Sequence, residues 1–415
     1  MISSVVIAGD FQFPFGSAAA SRVRNLVGGF VDCGLKGRVL SLIPQPRNMA
    51  NMELTGVFQG VHYEHMASCL GTSIGANSLR NERAFDKLRW FRRAYSWSRE
   101  AARRIHQLAA SGECDLLIIY GRSAWRLMPL VWSAHGVGTP ILLDVVEGPS
   151  NFSGFLGIMN PIYWDWRAGL HWLPRSVDGA MSISHALADR LRKQGVLHEM
   201  IVPSIEDFSD LPSAPKGPGF GEFKLLYVGS LIARDNPQML LGIMRNLLDA
   251  GAAVKLQIVG KYEHVPEGRQ IIHQVRDDAI LRDHIEFLGP LSDQRLAEVR
   301  CGADGLVLLR RNSIAEQESF PTRLVEYLKV GRPVCISDVG DVSHYLKNWE
   351  HAVLLDPDDQ VKASSTIAKL IQSSDRGHSL GLRGRLRAAE RFDRRLHAAR
   401  ILRFACDLPR AKATR

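Results

Sequence analysis

The chain has 415 residues, 46% of them apolar and 23% charged, with a net charge of +9. That length and apolar share exclude a disordered polypeptide and fit two or three packed domains. The six cysteines, at 33, 69, 114, 301, 335 and 406, are scattered without a Cys-x-x-Cys pair, which argues for reduced thiols in a cytosolic protein and against a structural zinc site.

No stretch of about eighteen apolar residues occurs, so no spanning helix is expected. The opening Met1-Ile-Ser-Ser-Val-Val-Ile-Ala lacks a basic n-region and reads as a first strand, Val5–Gly9, rather than a signal peptide. A Gly/Pro loop, Phe13-Pro-Phe-Gly16, leads to a helix from about Ser17 to Cys33 and a strand, Arg38–Ile43. A long basic helix is predicted over roughly 83–111. Within it, Arg83–Arg104 carries eight Lys/Arg and two Asp/Glu, interleaved with Phe85, Trp90, Phe91, Tyr95 and Trp97. Such a mixture suits a solvated helix that buries its aromatics, an anionic membrane surface, or an acidic acceptor, with nucleic acid the less fitting partner. Strands are expected next at Asp115–Tyr120, Pro140–Val146, Val177–Ser182 and Met200–Val202, the spacing of βαβ units. The aromatic run Phe155–Trp172 reads as a buried helix, part of an acceptor site, or a membrane-facing surface.

Residues 204–222, dense in Pro, Gly and Ser, are predicted to link two domains, 1–203 and 223–391. Beyond the linker the alternation restarts. Strands Lys224–Val228, 254–259 and 285–288 close at Gly229, Gly260 and Gly289, with helices near 237–250, 268–281 and 292–301 and a further strand, Gly305–Leu309. The Arg-rich segment 392–415 reads as a helix with a basic tail, staying in the second domain or crossing back to the first. The fold class is therefore α/β, with two Rossmann-like parallel sheets facing a central cleft at the carboxyl ends of their strands.

The densest chemistry lies in Glu318-Ser-Phe-Pro-Thr-Arg-Leu-Val-Glu326. Pro321 suits the first turn of a helix, and Gly331-Arg332-Pro333 ends that helix before a strand, 333–336. One carboxylate is then on a loop and the other about two turns into the helix. Free amides at the helix start suit an anion, and carboxylates on either side suit sugar hydroxyls, a pairing that fits a phosphorylated sugar nucleotide.

The two-half layout resembles the GT-B fold, and residues 224–357 resemble retaining glycosyltransferases of family 4. Leu225-Leu-Tyr-Val-Gly-Ser-Leu231, Leu256-Gln-Ile-Val-Gly260 and Ile285-Glu-Phe-Leu-Gly289 are similar to successive strand ends of the family's donor domain. Glu318–Glu326 is similar to its Glu-x7-Glu motif, and Arg332-Pro-Val-Cys-Ile-Ser with Val339-Gly340 to the strand and loop after that motif. In the first half, Phe15-Gly-Ser-Ala-Ala-Ala-Ser-Arg22 and Ile183-Ser-His-Ala-Leu carry the resemblance. Three positions depart from it. Ser230 and Asp235 stand where many members have the Arg and Lys that grip a diphosphate, and Val146 stands where many have a histidine.

The resemblance implies that Glu318 orients the donor sugar and Glu326 holds the ribose. It places Gly229, Ser230, Arg234 and the Phe320, Pro321, Thr322 and Arg323 stretch around the diphosphate, with Gly16 and Ser17 closing on it. Arg22 and Glu147 are acceptor-side candidates. No metal or other cofactor is expected. The implied activity is transfer from a nucleotide-diphosphate sugar to a glycan or lipid-linked glycan in cell-surface polysaccharide or glycolipid assembly. The implied place is the cytoplasm or the inner face of its membrane. The departures support an alternative, a catalytically weak binding partner or scaffold; an epimerase or phosphorylase on the same fold is the remaining option.

Overall fold

A computed structural model describes residues 2–16, 18–44, 53–67, 84–148, 161–209, 211 and 221–409; of 84–91, 161–162 and 374–376 it describes the backbone alone. The chain divides into two compact units, Met1–Asp207 with Arg394–Arg415, and Phe208–Asp393.

The first unit runs β1 (Ser4–Gly9), α1 (Ala18–Asp32), β2 (Lys36–Ser41), β3 (Thr55–Phe58), β4 (Val61–His65), α2 (Ala84–Ala110), β5 (Leu116–Tyr120), α3 (Ala124–Gly136), β6 (Ile141–Val145), α4 (Pro161–Trp172), β7 (Gly179–Ser182), α5 (His185–Lys193) and β8 (Glu199–Ile201). The sheet order is β3-β4-β2-β1-β5-β6-β7-β8. Every pairing is parallel except β3 with β4. Strands such as Leu116-Leu-Ile-Ile-Tyr120 are buried along their whole length, because helices cover both faces of a parallel sheet.

The second unit runs β9 (Phe223–Val228), α6 (Pro237–Asp249), β10 (Val254–Val259), α7 (Pro266–Asp277), α8 (Ala279–His284), β11 (Ile285–Gly289), α9 (Asp293–Gly302), β12 (Gly305–Leu308), α10 (Ile314–Gln317), α11 (Thr322–Val330), β13 (Val334–Ser337), α12 (Val342–Tyr345), β14 (Val353–Leu355), α13 (Gln360–Gln372) and α14 (Ser374–Phe392). Its sheet, β11-β10-β9-β12-β13-β14, is parallel throughout. The last helix, α15 (Arg394–Asp407), belongs to the first unit, where Ala398, Ile401, Ala405 and Leu408 join the core.

Several elements go beyond the sequence expectation, among them helices α3, α5 and α13, the β3–β4 hairpin and strand β14. The β3–β4 hairpin turns at Gln59 (φ 49°) and Gly60 (φ 79°), a primed turn whose usual sequence mark is Asn-Gly or Asp-Gly. The three-residue β14 was too short to show a period.

Helix α2 divides its side chains by period. Ala94, Trp97, Ala101, Ile105 and Leu108 are buried, while Arg92, Arg93, Arg99 and Arg103 are exposed. Trp97 is thus a core residue and the arginines form a solvated face.

In both units the chain order reverses beside the first strand, between β1 and β5 and between β9 and β12. Ligands of open α/β sheets bind at such switch points.

His65 ends β4 beside Ser41, 6% exposed, with its ring 5.3 Å from that of Tyr63. Burial pushes its pKa down from 6.5 to about 4, against a hydrogen bond with the Phe13 backbone. The unfolded ring takes up its proton first as pH falls, so the stability tied to neutral His65 is complete above about pH 6.5 and drains toward pH 4. His65→Gln should therefore flatten the loss of stability between about pH 7 and 4.5 by roughly 2 kcal/mol in urea titrations. Equal slopes for the two proteins would contradict this account.

Candidate functional site

At the switch point of the second unit, β9 ends in a close strand-end packing. The Gly229 amide donates to the Val259 carbonyl (2.8 Å), and the Gly260 amide donates to that of Gly289 (2.9 Å). Gly260 has φ 145°, and a Cβ there would lie 2.2 Å from the Gly229 oxygen, so a side chain is excluded. At Gly229 a Cβ would meet Nη1 of Arg323 at 2.3 Å. Ser230 comes next, half-buried, and Leu231 turns inward at φ 54°.

The next turn, a 3₁₀ segment Ala233–Asp235, points two charges in opposite senses. Asp235 goes inside and is 1% exposed. The Tyr227 hydroxyl donates to it at 2.6 Å, Nη2 of Arg323 donates at 2.5 Å, and Nη1 of Arg310 stands 3.7 Å away. Arg323 also donates through Nη1 to the Val228 carbonyl (2.6 Å). Arg234 stays partly exposed and donates to Glu316 Oε1 through Nε and Nη2, each at 2.9 Å. Arg310, from the end of β12, donates to Glu316 Oε2 at 2.9 Å and so bridges the two acids.

Three guanidiniums against two carboxylates leave one net positive charge in this cluster. Burial alone would lower the Arg323 pKa, but Asp235 together with Tyr227 and Tyr327 raises it, so the group stays cationic. Burial, reinforced by Asp235, pushes Tyr227 up and keeps it a donor. Burial depresses Arg310 despite the pull of Asp235 and Glu316.

Glu318 caps the C-terminus of α10, with its amide bonded to the Ile314 carbonyl (3.0 Å), and the residue is 4% exposed. Phe320 is an anchor: its ring packs against Tyr345 and Phe392 at 5.5 and 5.6 Å. Pro321 is the N-cap of α11, one position earlier than expected, and its side chain caps no amide. The first-turn amides of Thr322 and Arg323 thus lack an intrahelical acceptor and form a place for an anion. Glu326 is just over one turn into the helix rather than two, because the loop takes up Glu318 to Pro321. It forms an ion pair with Arg300 of α9 at 2.7 Å.

In the first unit, Gly16 is exposed at φ 136°, and a Cβ there would meet Gln12 Oε1 at 2.4 Å. Ser17 lies outside the described residues. Arg22 is 5% exposed and structural: it donates to both Asp144 oxygens at 2.7 and 2.8 Å and to the Val202 and Pro203 carbonyls at 3.0 and 2.9 Å. Those bonds bind α1 to the ends of β6 and β8, so the geometry does not present Arg22 to an acceptor. Glu147 remains reachable and pairs with Arg122 at 2.8 Å, whose guanidinium stacks 3.5 Å over the Trp166 ring.

The sequence reading missed Tyr227, Arg310 and Glu316. Arg310 had a signal, a charged pair with Arg311 at the carboxyl end of an apolar strand. Glu316 and Tyr227 had none, since their partners lie far along the chain or in a turn.

The family described as "Glycosyl transferases group 1" matches residues 214–387. A phosphatidyl-myo-inositol mannosyltransferase of Mycobacterium leprae is 24% identical over 308 residues, 72% of this chain and 75% of that protein. Sucrose-phosphate synthase from Thermosynechococcus elongatus has a similar structure, with a TM-score of 0.69 at 15% identity over 96% of this chain and 98% of that one. HepE of Anabaena, solved in complex with UDP, gives 0.67 at 13% identity over 98% and 100%. The two-sheet architecture is the GT-B fold.

Asp235→Asn removes the charge that the buried Arg323 requires. It should cost about 3–5 kcal/mol of stability, read from the urea unfolding of the second unit. A cost under about 1 kcal/mol would show that the pair does not hold this end of the sheet.

Proposed function

We propose that this chain, whose residues 214–387 belong to the glycosyl transferases group 1 family, transfers a sugar with retention from a nucleotide-diphosphate sugar to a glycan or lipid-linked glycan acceptor. The observation that carries the reading is the net-positive guanidinium cluster beside the open start of α11, at the switch point of a parallel sheet. Transfer breaks the bond between the anomeric carbon and the phosphate oxygen and leaves the electron pair on the diphosphate. Fixed donors are needed where that charge grows.

In this reading Arg234, Arg323 and the amides of Thr322 and Arg323 receive the diphosphate, and Gly229 with Ser230 lets it approach the backbone. Glu318 orients the sugar, and Glu326, steadied by Arg300, accepts from the ribose. By the family resemblance Gly16 and Ser17 are donor-binding residues, and Glu147 serves the acceptor. The guanidiniums supply the countercharge, so the reaction runs without a resident metal or other cofactor.

A uridine nucleotide is the first donor to test, since HepE is solved with UDP and with UDP-glucose. The inositol-lipid acceptor in the name of the Mycobacterium leprae relative supports glycolipid or cell-surface polysaccharide assembly. Among the described residues no helix is long and apolar enough to cross a membrane. The exposed arginines of α2 support peripheral contact with the anionic inner face of a membrane rather than with nucleic acid.

One observation favours a second reading, a binding protein that does not turn over: Asp235 already holds Arg323. A panel of UDP-, GDP- and ADP-sugars, assayed for hydrolysis and transfer, separates the two. Turnover should survive a chelator, and Glu318→Gln should lower kcat/KM roughly 100-fold or more while nucleotide binding persists. If no sugar nucleotide binds, the whole reading is lost; binding without turnover would support the second.

A further inference from the structure

Helix α4 carries a surface that the transferase chemistry does not use. Trp164, Ala168 and Trp172 are four residues apart and share one face. The two indoles, 55% and 58% exposed, are separated by roughly 12 Å of helix. The small Ala168 between them leaves a saddle. Arg167 and His171 adjoin it, and Arg190 of α5 closes the far side of a cavity of about 370 Å³.

No carboxylate is among the described residues lining this cavity. Arg175, just past α4, and Lys193, in the last turn of α5, are exposed and add positive charge. Two further aromatics of this unit are exposed, Tyr95 on α2 at 42% and Trp132 on α3 at 63%. An indole has an apolar body and one polar N–H, which suits the boundary between acyl chains and headgroups. A guanidinium suits a phosphate.

We infer that the saddle between α4 and α5 binds the phosphate headgroup of an anionic phospholipid, with Arg167 and Arg190 on the phosphate and Trp164 and Trp172 beside the first acyl carbons. The inference rests on the peripheral-membrane part of the proposed function and gives that contact a defined site.

Ala168→Phe fills the saddle without changing a charge or removing an indole. The full chain is sedimented with phosphatidylcholine vesicles, alone and mixed with phosphatidylglycerol. Wild type should bind the mixed vesicles only, and Ala168→Phe should bind them roughly tenfold more weakly with its circular dichroism unchanged. Should that variant fold poorly, Trp164→Ser with Trp172→Ser should produce the same loss. Wild type that ignores anionic vesicles sinks the membrane reading and the saddle together. Variants that bind like wild type sink the saddle alone. Displacement from vesicles by millimolar inorganic phosphate, glycerol phosphate or an anionic oligosaccharide overturns the lipid assignment.

Discussion

A carboxylate removed from water must find opposite charge and hydrogen bonds within reach, and Asp235 shows how far that requirement organises the second unit. Its partners come from three elements: Tyr227 from β9, Arg323 from α11 and, at longer range, Arg310 from the end of β12. Satisfying one buried acid therefore fixes the strand, the helix start and the neighbouring strand end against each other. Glu316 repeats the logic from α10 and brings Arg234 into the same cluster. The net positive charge at this edge of the sheet results from neutralising buried charge almost, but not completely.

The first unit meets the same constraint with a different outcome. Arg22 and Asp144 neutralise each other fully, and two further guanidinium hydrogens go to the Val202 and Pro203 carbonyls. That clasp closes its part of the sheet edge instead of opening it. The reachable chemistry passes to Glu147 and Arg122, whose guanidinium lies flat on Trp166. A buried ion pair is thus a fold device in one unit and the support of a candidate ligand site in the other. The difference lies in whether a cation is left over.

Much of the fold was legible because parallel strands, buried on both faces, appear as unbroken apolar runs closed by glycine. Val5–Gly9 and Leu116–Tyr120 are of that kind. The β3–β4 hairpin escaped because Gln59 takes a positive φ that its side chain does not announce. Glu318 and Glu326 stood out by their spacing, and the family resemblance supplied the roles proposed for them. Asp235 was not: it read as a loss of positive charge, whereas its partner Arg323 lies 88 positions on and converts it into an internal counterion. Sequence spacing exposes contacts within a helix turn, but not a pair joined through the sheet. The aromatic segments divided in the same way: Trp97 entered the core, while Trp164 and Trp172 stayed in solvent for reasons that only tertiary packing decides.

The central claim is that the β9–α11 cluster recognises a diphosphate. Calorimetric titration of wild type and an Arg234→Gln variant, which leaves the Asp235–Arg323 pair in place, with a nucleoside and its mono- and diphosphate tests it most directly. Wild type should bind the diphosphate at least about tenfold more tightly than the nucleoside, and the variant should lose this preference while keeping its nucleoside affinity. Equal affinity of wild type for nucleoside and diphosphate, or an undiminished preference in the variant, would contradict it.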